Sequence, residues 1–165
     1  AGLFQNDFVD FYTDIKDKYS VPDGVLELEV TESILAADTE LFAELVVNLN
    51  ARGFICSLDD FGSGYSSLNL LKNLPIDVLK LDILFFHKSR DIRRERIVVS
   101  NVINMARELN IKTIAEGVED MDTVEFLRKA GCNVIQGYVF AKPMPQEDFE
   151  HLLMENQDGP FGSGD

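Results

Sequence analysis

The chain has 165 residues, 45% of them hydrophobic, which suits one globular domain with a substantial core. Its 29 acidic residues outweigh 15 basic ones, for a formal net charge of −14. Such a field repels phosphate backbones and anionic membrane surfaces, so DNA or RNA binding is not expected.

Residues 3–20 place Phe4, Phe8, Phe11, Tyr12, Ile15 and Tyr19 at helical spacing, and Pro22, Asp23 and Gly24 then break the chain. Val25–Thr31 (VLELEVT) alternates strictly, with Leu26, Leu28 and Val30 on one face and Glu27 and Glu29 on the other, as a strand does. A helix is predicted over 39–52, capped by Asp38 and followed by Gly53. Phe54–Asp59 reads as a second strand ending in the pair Asp59–Asp60. In the loop after it, Gly62 and Gly64 permit backbone angles that larger residues avoid. Ser66 or Ser67 can cap a short helix that stops before Pro75. Asp77–Asp82 is a third strand with Lys80 inside it. A long helix follows over 91–109, its core face drawn from Val98, Val102, Met105, Ala106 and Leu109. Lys112–Glu116 is a fourth strand, and a helix over 121–130 stops at Gly131. A fifth strand is predicted over 133–139, carrying Gln136, and a last helix runs to about Met154. The tail from Asn156 lacks apolar content and is expected to be disordered.

Strand and helix therefore alternate five times, which predicts an α/β fold of parallel strands joined by right-handed helical crossovers. Four strands end in acids: Glu29 to Glu32, Asp59 with Asp60, Asp82, and Glu116 with Glu119. In a (β/α) barrel the carboxyl ends of the strands build the active site. Helices on the outside would take Leu26, Leu28 and Val30, leaving Glu27 and Glu29 to point inward. Taken singly, an acidic pair is most often structural, Lys80 a salt-bridge partner and Gln136 a buried hydrogen-bonder. Repetition at four strand ends favours convergence on one mouth.

Cys56 and Cys132 stand far apart and in no metal-ligand spacing, so free thiols in a reducing cytosol are expected. His87 and His151 are isolated, which does not suggest zinc. No apolar run approaches the roughly 20 residues of a membrane span and no signal peptide is visible. A soluble, cytoplasmic chain is expected, and a membrane-anchored parent is compatible with it.

The segments LELEVTES (26–33), LDDFGSGYSSL (58–68), LPIDVLKLD (74–82), IAEGVED (114–120) and GCNVIQGYVFAKPMP (131–145) closely resemble the EAL-domain cyclic di-GMP phosphodiesterases. The resemblance runs in order from about Phe8 to about Leu153. It implies a TIM-like barrel and metal-dependent hydrolysis of cyclic di-GMP to linear pGpG. By position it implies that Glu29 and Asp59 bind one metal, Asp59 bridging to a second held by Asp60 and Glu116. Glu116 also resembles a general base, and Lys80 the lysine that hydrogen-bonds the attacking water. Glu119 and Gln136 match residues that place water, metal or substrate, and Glu32 one that anchors the loop after Asp60. Two divalent cations about 3.5–4 Å apart can lower a bridging water's pKa and stabilise both oxygens of an in-line displacement. Carboxylate oxygens suit Mg²⁺ or Mn²⁺. Carboxylate neighbours keep Lys80 charged, which disfavours Schiff-base chemistry.

The match departs from the family at its start, where the signature Glu-Ala-Leu and an upstream asparagine ligand are absent. Residues 1–155 are therefore expected to be the C-terminal portion of an EAL domain, an incomplete barrel with about five of eight strands and the N-terminal ones missing. Its own catalysis is expected to be weak or absent. Ser63 keeps the hydroxyl of a commoner threonine, Asp120 stands where threonine is usual, and Ile83 and Leu84 are apolar where the family is often polar. Open edges near 25–31 and 135–139 predict a homo-oligomer. The parent is expected to carry a sensor or diguanylate cyclase domain. A non-catalytic cyclic di-GMP receptor or protein-interaction module is the alternative function.

Overall fold

Short strands separated by helices long enough to carry the chain back leave parallel pairing as the natural outcome. In a computed structural model of the chain, residues 2–31, 39–61, 71–82 and 91–155 are described. Their elements, in order, are α1 (Gly2–Lys18), β1 (Glu27–Thr31), α2 (Thr39–Asn50), β2 (Ile55–Asp59), β3 (Val78–Asp82), α3 (Ile92–Glu108), β4 (Lys112–Glu116), α4 (Met121–Ala130), β5 (Val134–Ile135) and α5 (Gln146–Glu155). The five strands form one sheet in the order β1-β2-β3-β4-β5, every pair parallel. This is the α/β arrangement of part of a TIM-like barrel. The expected Asp38 cap, the loop with Gly62, Gly64, Ser63, Ser66 and Ser67, Ile83, Leu84 and the tail from Asn156 lie outside the described residues.

Side chains on one face of the sheet meet the helices. Leu58, Leu79, Leu81 and Ala115 join Val99 and Ile103 of α3 and Leu127 of α4 in the larger core. Cys56 joins Val9 of α1 and Val46 and Leu49 of α2 in a second cluster, against which Leu26 and Leu28 pack. Burying each such leucine stabilises the fold by roughly 1.5–3 kcal/mol.

Helix ends follow local chemistry. Asp91 caps α3 by accepting from the Arg93 and Arg94 amides, and Asp120 caps α4 by accepting from the Thr123 amide at 2.8 Å and its hydroxyl at 2.8 Å. Gly131 ends α4 at φ 85°, and Gly53 follows α2 at φ 81°, angles that a side chain would resist.

Two expectations need correction. The buried stripe of α3 is Glu95, Val99, Ile103 and Ala106, about one residue round from the predicted face. Val98 and Leu109 are exposed, while Val102 and Met105 flank the core. Apolar residues occupy two adjacent stripes of this helix, and the sheet takes the β-branched pair Val99 and Ile103.

The fifth strand is also shorter than predicted, with only Val134 and Ile135 paired to β4. Beyond them the chain folds against the segment after β4: Val118 N–H donates to Gln136 O at 3.2 Å, and Val139 N–H donates to Val118 O at 3.1 Å. Phe140 N–H closes a turn onto Gly137 O at 3.1 Å. Only glycine fits at 137, because a Cβ there would stand 2.0 Å from Val118 O. Gly137→Ala should therefore destabilise the chain by about 2 kcal/mol or more. Urea denaturation is the check, and an unchanged midpoint would contradict this packing.

Candidate active site

Alternation along each strand decides which side chains share the face turned away from the helices. On that face β1 offers Glu29 and Thr31, β2 Ser57 and Asp59, β3 Val78, Lys80 and Asp82, and β4 Ile114 and Glu116. Parallel register sets them side by side: Glu29 opposite Ser57, Thr31 opposite Asp59, Lys80 opposite Ile114 and Asp82 opposite Glu116.

Lys80 is the centre of this face. It is only 8% exposed, yet its ammonium donates to Glu29 Oε1 at 2.6 Å. Glu116 Oε1 lies 3.0 Å from the same Nζ and Asp59 Oδ1 3.8 Å from it. Burial works against the charge. The hydrogen bonds to Glu29 and Glu116, with the charges of Glu116 and Asp59, outweigh it and hold the lysine pKa above its ordinary range. Three acids distant in sequence therefore meet at one point, Asp59 and Glu116 from the last residues of their strands and Glu29 from the middle of its own.

Glu29, Asp59 and Glu116 present only carboxylate oxygens, the donors that a hard divalent cation prefers. Gathered about one positive centre, that donor set fits such a cation in chemistry. Its spacing is the one the ammonium imposes: among the described residues no three acidic, histidine or cysteine side chains stand in a metal-ligand arrangement.

The remaining candidates are placed differently. Asp60 is exposed, with φ 55° in the left-handed region, and its amide donates to Asp59 Oδ1 at 2.9 Å. That bond orients Asp59. Among the described residues Asp60 makes no ion pair with Lys80. Glu119 is exposed in the loop after β4, past the left-handed Gly117. Gln136 is exposed too, and its backbone N–H donates to Ala115 O at 2.8 Å. Glu32 lies outside the described residues.

Two inner-face residues receive no ligand role from the sequence: Ser57, and Asp82, which counts there only among the acidic strand ends. Ser57 is fully buried, and among the described residues its hydroxyl has no hydrogen-bond partner. A small polar residue two places before Asp59 inside an apolar run was the signal for it. Asp82 stands two residues beyond Lys80 and opposite Glu116, so the period-two pattern alone brings it to the site.

Beside Gln136 a groove of about 1040 Å³ opens between β5, the following turn and α5, lined by Ile135, Tyr138, Phe140, Pro143, Phe149 and Leu153 among others. Among the described residues no helix is long and apolar enough to cross a membrane.

Comparison with known proteins identifies the family and the fold. Cyclic di-GMP phosphodiesterase NbdA of Pseudomonas aeruginosa is 41% identical over 128 residues, covering 78% of this chain and 16% of its own. MucR of the same species, a bifunctional diguanylate cyclase/cyclic di-GMP phosphodiesterase, is 41% identical over 130 residues, covering 79% of this chain and 19% of its own. A MucR phosphodiesterase structure in complex with c-di-GMP superposes with a TM-score of 0.77 at 39% identity, over 86% of this chain and 57% of that one. The EAL domain of Mycobacterium smegmatis DcpA gives a TM-score of 0.80 at 34% identity, over 90% of this chain and 66% of that one. The chain thus spans about a quarter or less of the length of the curated relatives it matches. The EAL domain family model matches residues 1–143, and the chain belongs to that family.

Proposed function

We propose that the chain is part of a cyclic di-GMP phosphodiesterase, in which water opens one phosphodiester of the cyclic dinucleotide to give linear pGpG. The observation that carries this reading is the convergence of Glu29, Asp59 and Glu116 on Lys80. Glu29 and Asp59 are the residues to hold one Mg²⁺ or Mn²⁺, and Asp59, Asp60 and Glu116 the residues to hold a second. Such a pair, when bound, supplies an acidified water and a counter-charge for the phosphodiester. Lys80, kept protonated by its acidic neighbours, donates a hydrogen bond to the attacking water and offsets the charge that develops at phosphorus. Glu116 accepts the proton that this water gives up. Glu119 and Gln136 orient substrate and water at the rim, and Glu32 anchors the loop that follows Asp60. A charged Lys80 is also why a Schiff-base aldolase, which needs the neutral amine, is not the reading we favour.

The relatives' length and MucR's double name support a parent that adds a sensor or diguanylate cyclase domain, and the cytoplasm is the compartment we propose for it. On its own the chain is expected to turn over slowly, because a loosely held cation is a poor catalyst. Self-association is supported by the outer edges of β1 and β5, unpaired among the described residues, and by the exposed Phe8, Phe11 and Ile15 on α1 with Tyr19 just past its end. The competing reading is a receptor that holds cyclic di-GMP without cutting it. It draws on the acids' present spacing around Lys80, and calorimetry showing tight binding of cyclic di-GMP without turnover by the full-length parent would favour it.

In that full-length parent, Mn²⁺-dependent release of pGpG should fall by about 100-fold or more in Asp59→Asn, and should cease in EDTA. Release indifferent to either change would sink the enzyme reading. The raised Lys80 pKa has a signed consequence. Stabilisation from its ion pairs is complete below the ordinary lysine value of 10.5 and is lost as pH rises through the higher folded value. The difference in urea midpoint between wild type and Lys80→Met should therefore stay flat from pH 7 to about 10 and shrink above it. Light scattering of the isolated chain should give a mass above the monomer's 18.6 kDa, and a single monomeric species would refute self-association.

A further inference from the structure

The middle of a strand in a parallel sheet is an expensive place for an ammonium, and Lys80 is 8% exposed there. Its neighbours explain why it stays charged. Glu29 Oε1 at 2.6 Å, Glu116 Oε1 at 3.0 Å and Asp59 Oδ1 at 3.8 Å surround one Nζ, each acid offering a single oxygen. Without that charge, three carboxylates from β1, β2 and β4 would repel one another across the sheet. With it, any further cation using the same acids meets a fixed positive charge a few ångströms away.

We propose that the Lys80 ammonium is a resident counter-cation. It keeps Glu29, Asp59 and Glu116 gathered whether or not a divalent ion is bound, and it weakens the hold of those acids on that ion. This rests on the divalent-cation reading given above. One side chain then does two opposed things: it assembles the ligands in advance, and it makes their affinity for the ion lower than three carboxylates would otherwise give. A buried lysine acting only as a structural hydrogen-bonder leads to the opposite sign. Removing it would then splay the acids and weaken cation binding, whereas removing a counter-cation tightens binding.

The test is direct Mn²⁺ binding to the chain, by electron paramagnetic resonance and calorimetry, together with melting in EDTA and in saturating Mn²⁺. Lys80→Met should bind Mn²⁺ about tenfold more tightly than wild type or better, the direction Coulomb's law requires for losing a nearby like charge. It should melt lower than wild type in EDTA and recover most of that loss in Mn²⁺. Lys80→Arg, which keeps the charge, should bind Mn²⁺ within about threefold of wild type. If Lys80→Met fails to fold in EDTA, folding on addition of Mn²⁺ supports the proposal, and failure to fold in saturating Mn²⁺ overturns it. Equal or weaker Mn²⁺ binding by Lys80→Met, with wild type binding normally, overturns the counter-cation and leaves the divalent-cation reading standing. If neither protein binds Mn²⁺, both fall.

Discussion

An ammonium group held inside a sheet by carboxylates from three other strands constrains everything around it. Lys80 Nζ and Glu29 Oε1 are 51 residues apart in the chain and 2.6 Å apart in space. Their contact requires β1, β2 and β3 to stay in one register. A slip of one residue in β3 would turn Lys80 toward the helices and bring Leu79 and Leu81 to the polar face. The hydrophobic cost of exposing those two leucines and the electrostatic cost of stranding the charge reinforce each other. Register is thereby determined twice, by the core on one face and by the acids on the other.

That two-faced strand pattern also divides labour between stability and chemistry. Leu58, Leu79, Leu81 and Ala115 are fully buried against helices, while the residues between them form the polar face. Substitutions on the helix side act on the packing of the whole chain. Substitutions on the other side act mainly on a small cluster of charges. The strands alone set the positions of the acids, so a change on the helix side need not move them.

Much of this was legible in the residues themselves, because a period of two marks a strand and its face without any knowledge of tertiary structure. The alternation in VLELEVT already separated Leu28 and Val30 from Glu29, and Gly53 and Gly131 marked helix ends by the angles they adopt. Recognition of the five motifs then joined acids that no local rule connects. Two features were hidden for physical reasons. The face of α3 was ambiguous because Val98, Val99, Val102 and Ile103 make two apolar stripes, and only the sheet decides between them. The early end of β5 was hidden because Val134 to Val139 reads as strand by propensity, and a long-range contact with Val118 overrides it. Ser57 carries only a faint signal, a small polar residue inside an apolar run, and its neighbours across the sheet are needed to place it beside the acids.

The pair of hydrogen bonds at Val118 reaches beyond packing. Its amide and its carbonyl are both taken by the turn at 136–139. Glu119 is the next residue along, and Gln136 is itself one of the bonded partners. These two rim residues are therefore mechanically yoked, and displacement of one drags the other. A disturbance of the groove beside α5, whose wall includes Tyr138 and Phe140, would travel through that yoke to the edge of the acidic cluster.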